Sequence, residues 1–194
     1  MSNINTIVLM IFSGLSVNLI LQCALGIRGI SKVNDNCKYH VYIKMGIIFF
    51  EIIFLWIVFS KIISYINSGI YIYILLFPVC SIVYDGFEYF ISRYIVKKEM
   101  NDGNLVGFSG GIAAAALFIT LNIANNFLNA VSLSFGFTIG ILLAFIILGE
   151  IHKRAALEAV PKFLRGNPLT LISMGLLSLV FSGASLMMFR MFGG

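Results

Sequence analysis

The chain has 194 residues, of which 60% are hydrophobic and 11% charged, with a net charge of +5. Soluble domains average about 45–50% apolar and about 25% charged residues, and a single soluble core could not bury this much Ile, Leu, Phe and Val. The composition therefore predicts a membrane protein, and no long polar segment leaves room among these residues for a soluble enzyme domain.

A helix needs about 20 apolar residues to cross the hydrocarbon core. Six stretches approach that length: residues 5–27, 41–66, 69–91, 104–123, 127–151 and 168–192. Runs such as residues 139–148 show no alternation of apolar and polar positions, which argues for helices over barrel strands. The expected fold class is an all-α membrane protein.

The first stretch follows Met1-Ser2-Asn3-Ile4-Asn5, which has no basic lead-in, so it reads as a retained span and not a cleaved signal. Asn18 and Gln22 are four residues apart on it, share a face, and are expected to turn toward the bundle, where they are candidates for an ion path. Gly26 adds a further interruption. In the second stretch Glu51 lies ten residues in, about 15 Å along the axis and near mid-bilayer. A carboxylate there is expensive and calls for a proton, a partner on another helix or a water-filled path. Lys44, seven residues earlier, is on the same face but about 10 Å away.

The third stretch carries Asp85 and Glu88, three residues apart and expected on one face. Two roles are open for them: a cation path shared with Glu51, or snorkelling toward the membrane surface. Tyr65, Tyr71 and Tyr73 fit an interfacial aromatic belt. In the fourth stretch Gly107, Gly110 and Gly111 interrupt the first half. Such residues either break a helix where protein or water can satisfy its backbone or simply allow close packing. Asn122, Asn125, Asn126 and Asn129 gather around the next loop and read as a solvated turn. The three cysteines, Cys23, Cys37 and Cys80, form no CxxC pair, so neither a disulfide framework nor a zinc site is expected.

Basic residues orient the spans, because cytoplasmic loops are enriched in Lys and Arg. Arg28, Lys32, Lys38, Lys44, Arg93, Lys97, Lys98, Lys153, Arg154, Lys162 and Arg165 fall on one side; of the 13 basic residues only Lys61 and Arg190 fall on the other. Both termini are thus expected outside. The asymmetry accounts for the basic character, and no nucleic-acid partner is implied. Three stretches precede the polar segment 93–103 and three follow it. An odd number per half gives the halves opposite orientation, as in inverted-repeat transporters, whose sites lie between the repeats. The expected organisation is one membrane domain of two inverted three-helix repeats, residues 1–92 and 104–194. The first helix of each, interrupted at Asn18, Gln22 and Gly26 or at Gly107, Gly110 and Gly111, is expected to be broken or half-helical.

From Asn126-Phe127-Leu128 onward, through Glu158-Ala159-Val160-Pro161-Lys162-Phe163-Leu164-Arg165-Gly166-Asn167 and Leu171-Ile172-Ser173-Met174-Gly175, the chain resembles the Rnf/Nqr integral membrane subunit family. It is most similar to the A-type subunit of the Rnf electron-transport complex. Asn18, Leu25-Gly26-Ile27, Gly29-Ile30-Ser31-Lys32, Met45-Gly46 and Glu88 extend the likeness into the first half.

The resemblance implies six helices in two inverted repeats, a bacterial or archaeal cytoplasmic membrane, and partners that include a paralogous six-helix subunit. It also implies an iron–sulfur centre shared with that paralogue, for which thiolates are the usual ligands. Here the ligand positions are occupied by Arg28 or, in ungapped alignment, Leu25, and by Gly111; Cys23 is nearby but on another side of its helix. Two readings follow. One is a non-catalytic subunit of an ion-translocating electron-transport complex with a structural or ion-path role. The other is a stand-alone or dimeric transporter of a small ion or solute.

Overall fold

The structure, a computed structural model, describes residues 2–23, 38–65, 71–91, 93, 106–157, 161 and 167–192. Among the described residues all regular structure is helical. Helix α1 (Ser2–Ile11) continues into a wider, π-type turn over Phe12–Ser16, and α2 (Leu19–Cys23) follows a short interruption. The longer helices are α3 (Lys38–Tyr65), α4 (Tyr71–Ile91), α5 (Val106–Ile123), α6 (Phe127–Leu157) and α7 (Asn167–Phe192). Each of the six apolar stretches thus contains helix. Within a bilayer this is forced, because every backbone polar group must find its partner inside the segment.

Among the described residues, three helices are long and apolar enough to cross a membrane: Tyr42–Ile62, Phe127–Ala155 and Pro168–Met188. Shorter apolar helical runs cover Val8–Leu21 and Gly111–Ile123. The chain is therefore built as a membrane protein.

Helix α6 lies at the centre, touching α1, the π-type turn, α2, α3, α5 and α7. The edges are α4, which packs on α3 and α5, and α7, which packs on α1, α2 and α6. The core is a continuous set of aliphatic and alanine side chains, among them Ile48, Ile52, Ile112, Ala116, Leu133, Phe137 and Ala144. Leu171, Leu176, Leu179 and Met187 of α7 and Ile74, Phe77 and Ile82 of α4 point outward. That outer face is as apolar as the core, the pattern expected where the surrounding solvent is hydrocarbon and not water.

One expectation needs correction. No break occurs at Gly107, Gly110 and Gly111: α5 runs through all three from Val106 to Ile123. Glycine costs an interior helical position about 1 kcal/mol relative to alanine, and the run Ala113–Ala116 that follows favours continuing the helix. A Cβ built on Gly111 would meet nothing within 4 Å, so that glycine does not mark a tight packing contact either. The interruption in the first half is real, and it falls at Val17–Asn18. Gly26, Leu25 and Arg28 lie outside the described residues.

Candidate functional site

Two polar inclusions penetrate the bundle. The first is the interruption between α1 and α2. The amide of Val17 bonds back to the carbonyl of Phe12, 3.1 Å away, which widens the turn and leaves Val17 at φ −113°, ψ 52°. Asn18, 2% exposed, fills the gap. Its Nδ2 donates to the carbonyl of Gly140 on α6 at 2.7 Å and to that of Gly14 at 3.3 Å, while its Oδ1 accepts from the backbone N–H of Leu21 at 3.3 Å. The side chain is therefore both the N-cap of α2 and a strut to α6.

Glycines make this contact possible. A Cβ added to Gly136 would collide with Ser13 Oγ and the carbonyl of Met10; one added to Gly140 would collide with the backbone of Gly14. Gly136 and Gly140 are four residues apart, and this small-xxx-small ridge lets two backbones approach as in close-packed membrane helices. The spacing is visible in the sequence, yet inside a long apolar run nothing else distinguishes it.

The second inclusion lies between α3 and α4. Lys44 Nζ pairs with Glu88 Oε1 at 3.2 Å, with the two side chains only 7% and 16% exposed. Glu88 thus turns to a cation on the neighbouring helix and does not snorkel toward Arg93, whose guanidinium instead donates to Tyr89 Oη at 2.6 Å. Glu51 lies two turns beyond Lys44 on α3 and is 0% exposed. Neither of its carboxylate oxygens has a hydrogen-bond partner among the described residues. Cys80, fully buried, and Asp85 lie on α4, the helix packed against α3.

Glu51, Asp85 and Glu88 all lie on the packed pair α3 and α4. Asp85 is exposed while Glu88 is largely enclosed against Lys44, so two side chains three residues apart differ in burial. Asn18 stands apart, on the α1–α6 contact. Gln22 belongs to α2, but its side chain lies outside the described residues.

Nothing in sequence spacing pairs Lys44 with Glu88, since they sit on separate helices 44 residues apart. Only the tertiary fold joins them. Among the described residues no group of three His, Cys, Asp or Glu side chains could hold a metal ion. The described position at which the resemblance implies an iron–sulfur ligand is Gly111, which has no donor atom. Cys80 cannot substitute alone, because such a centre requires several thiolates. The described residues therefore do not fit the group.

The chain is similar, over 67 residues at 36% identity, to proteins named as the A component of an ion-translocating oxidoreductase complex, from Escherichia coli O1:K1 / APEC, from Citrobacter koseri and from Shigella boydii serotype 18. The matching stretch spans 34% of this chain and 35% of each relative, about a third of their length. This is a distant relationship to that component. No family model matches the chain, and no solved structure matches it.

Proposed function

We propose that the chain is a membrane subunit of an ion-translocating oxidoreductase complex, without catalytic residues of its own and without a share in an iron–sulfur centre. The observation that carries this reading is the 36% identity to the A component of such complexes, in a chain whose helices suit a bilayer. The proposed arrangement has six spans in a bacterial or archaeal cytoplasmic membrane, both termini outside, with residues 1–92 and 104–194 as inverted halves. Its partners are lipid and other subunits of the complex, including a paralogous six-helix subunit.

Helix contacts support the two-half reading. The last helix of the first half, α4, packs on the first of the second, α5; the last of the second half, α7, packs on α1 and α2. The middle helices α3 and α6 pack on each other. Exchanging the halves maps these three contacts onto themselves, as expected of two related repeats, although the contact of α5 with α6 has no comparable counterpart between α1 or α2 and α3. Glu51, Asp85 and Glu88 are the proposed ion-path residues. Asn18, which bonds to backbone in a buried contact, is proposed as structural, and Gln22, Gly26, Gly107 and Gly110 carry no assigned chemistry.

A second reading, a stand-alone or dimeric transporter of a small ion, is favoured by the unpartnered acid Glu51. Purification of the native chain in mild detergent separates the two. Recovery with flavin- and iron–sulfur-containing subunits is the expected result. Recovery alone, colourless and free of iron, would overturn the complex and favour the transporter.

A further inference from the structure

Glu51 presents a problem that neither the fold nor its packing resolves. Buried side-chain polar atoms are nearly always hydrogen-bonded, and a buried charge is retained only when paired. Yet both oxygens of this fully enclosed carboxylate lack a partner among the described residues.

The surrounding elements offer little compensation. On its own helix the cation on its face is Lys44, two turns away, and that ammonium is engaged by Glu88. Helix α4 contributes Cys80, Tyr84, Asp85 and Glu88 but no basic residue between Tyr71 and Ile91. Helix α5 has no charged or titratable residue along Val106–Ile123, and α6 has none before Glu150, in its last quarter. Asp85, the other charged group of α4, is an exposed acid and supplies no positive charge to Glu51.

We infer that Glu51 is a binding site for a monovalent cation, either a proton held on the carboxyl or a sodium ion held against it. The shared requirement is one positive charge delivered to one enclosed carboxylate. This deepens the ion-path reading and rests on it for where the cation goes. Occupancy itself is a property of the chain and is testable without the complex.

The test is infrared difference spectroscopy on the full chain in lipid nanodiscs at neutral pH, comparing wild type with Glu51→Gln. In sodium-free potassium buffer the wild type is expected to show the C=O stretch of a protonated carboxyl that the variant lacks. If added sodium chloride leaves that band unchanged, the cation is the proton. If sodium, but not further potassium, replaces it with a carboxylate band, the site takes sodium.

Absence of a Glu51 carboxyl band in sodium-free buffer would overturn the inference. Should Glu51→Gln fail to fold, modification of the wild type by a hydrophobic carbodiimide, mapped by mass spectrometry, keeps it falsifiable. Reaction at Glu51 in sodium-free buffer is expected, and no reaction there would overturn it. Failure of the complex reading would appear in the co-purification and would leave both readouts unmoved.

Discussion

Asn18 and Glu51 are both polar, both enclosed and both set among apolar helices, but their surroundings treat them oppositely. Around Asn18 the backbone has rearranged: a turn is widened, a helix is interrupted, and two carbonyls and one N–H meet the side-chain amide. Around Glu51 the backbone of α3 is unbroken and offers its oxygens nothing. A polar group that ends with its bonds satisfied by main chain has a structural explanation. One that ends without partners needs an explanation from outside the fold, and there the search for function belongs.

The largest effect is expected at the contact that Asn18 braces. Gly140→Val would drive a branched side chain into the backbone of Gly14. Backbone cannot yield as a side chain does, so the cost should reach about 3 kcal/mol or more. The yield of monodisperse protein in mild detergent and its unfolding midpoint would show it. A variant as stable as wild type would mean that the helices do not meet there.

Next comes the ion pair between α3 and α4. Lys44→Met leaves Glu88 largely enclosed and without its cation, a loss of about 2 kcal/mol after allowing for the remaining exposure of the acid. Adding Glu88→Gln should restore part of it, because the second substitution removes the stranded charge. Strictly additive losses in the unfolding midpoint would show that the pair contributes no coupling.

Asn18 itself should rank third. Asn18→Ala removes the cap and the strut together, for about 1–2 kcal/mol. Asn18→Asp sharpens the contrast with Glu51. Asp still accepts from Leu21 N–H but cannot donate to the carbonyls of Gly14 and Gly140, so it should be less stable than Asn18→Ala. The reverse order would show that the cap, and not the strut, is what Asn18 supplies.

Much of the architecture was legible because apolar composition and span length follow directly from the physics of the bilayer. The interruption in the first half was legible too, since Asn18 is a polar residue with no reason to sit in a lipid-facing helix. What sequence could not supply was pairing across helices. Lys44 and Glu88 each look like a helix-end charge to be drawn toward water, and only the packing of α3 on α4 turns one toward the other. Gly136 and Gly140 were readable in principle from their spacing, whereas Gly107, Gly110 and Gly111 drew more attention by being crowded together. Gly107 and Gly111 are also spaced by four, yet a Cβ at Gly111 would meet nothing within 4 Å. Spacing by four permits a second backbone to lie against a helix, and only the packing of the other helices decides where one does.

The smallest prediction tests that distinction directly. At Gly111 a Cβ would meet nothing within 4 Å, whereas at Gly136 it would strike Ser13 and Met10. Alanine at Gly111 therefore introduces no clash and removes the entropic penalty of glycine in a helix, so Gly111→Ala should stabilise the chain by about 0.5–1 kcal/mol. The same change at Gly136 should destabilise it, although both are Gly→Ala within apolar helices. Opposite shifts in the unfolding midpoint would separate a glycine that admits a neighbouring backbone from one that the helix merely tolerates. A loss of stability at Gly111 would mean that a close contact does exist there, and the close-packing explanation for the glycines of α5 would have to be restored.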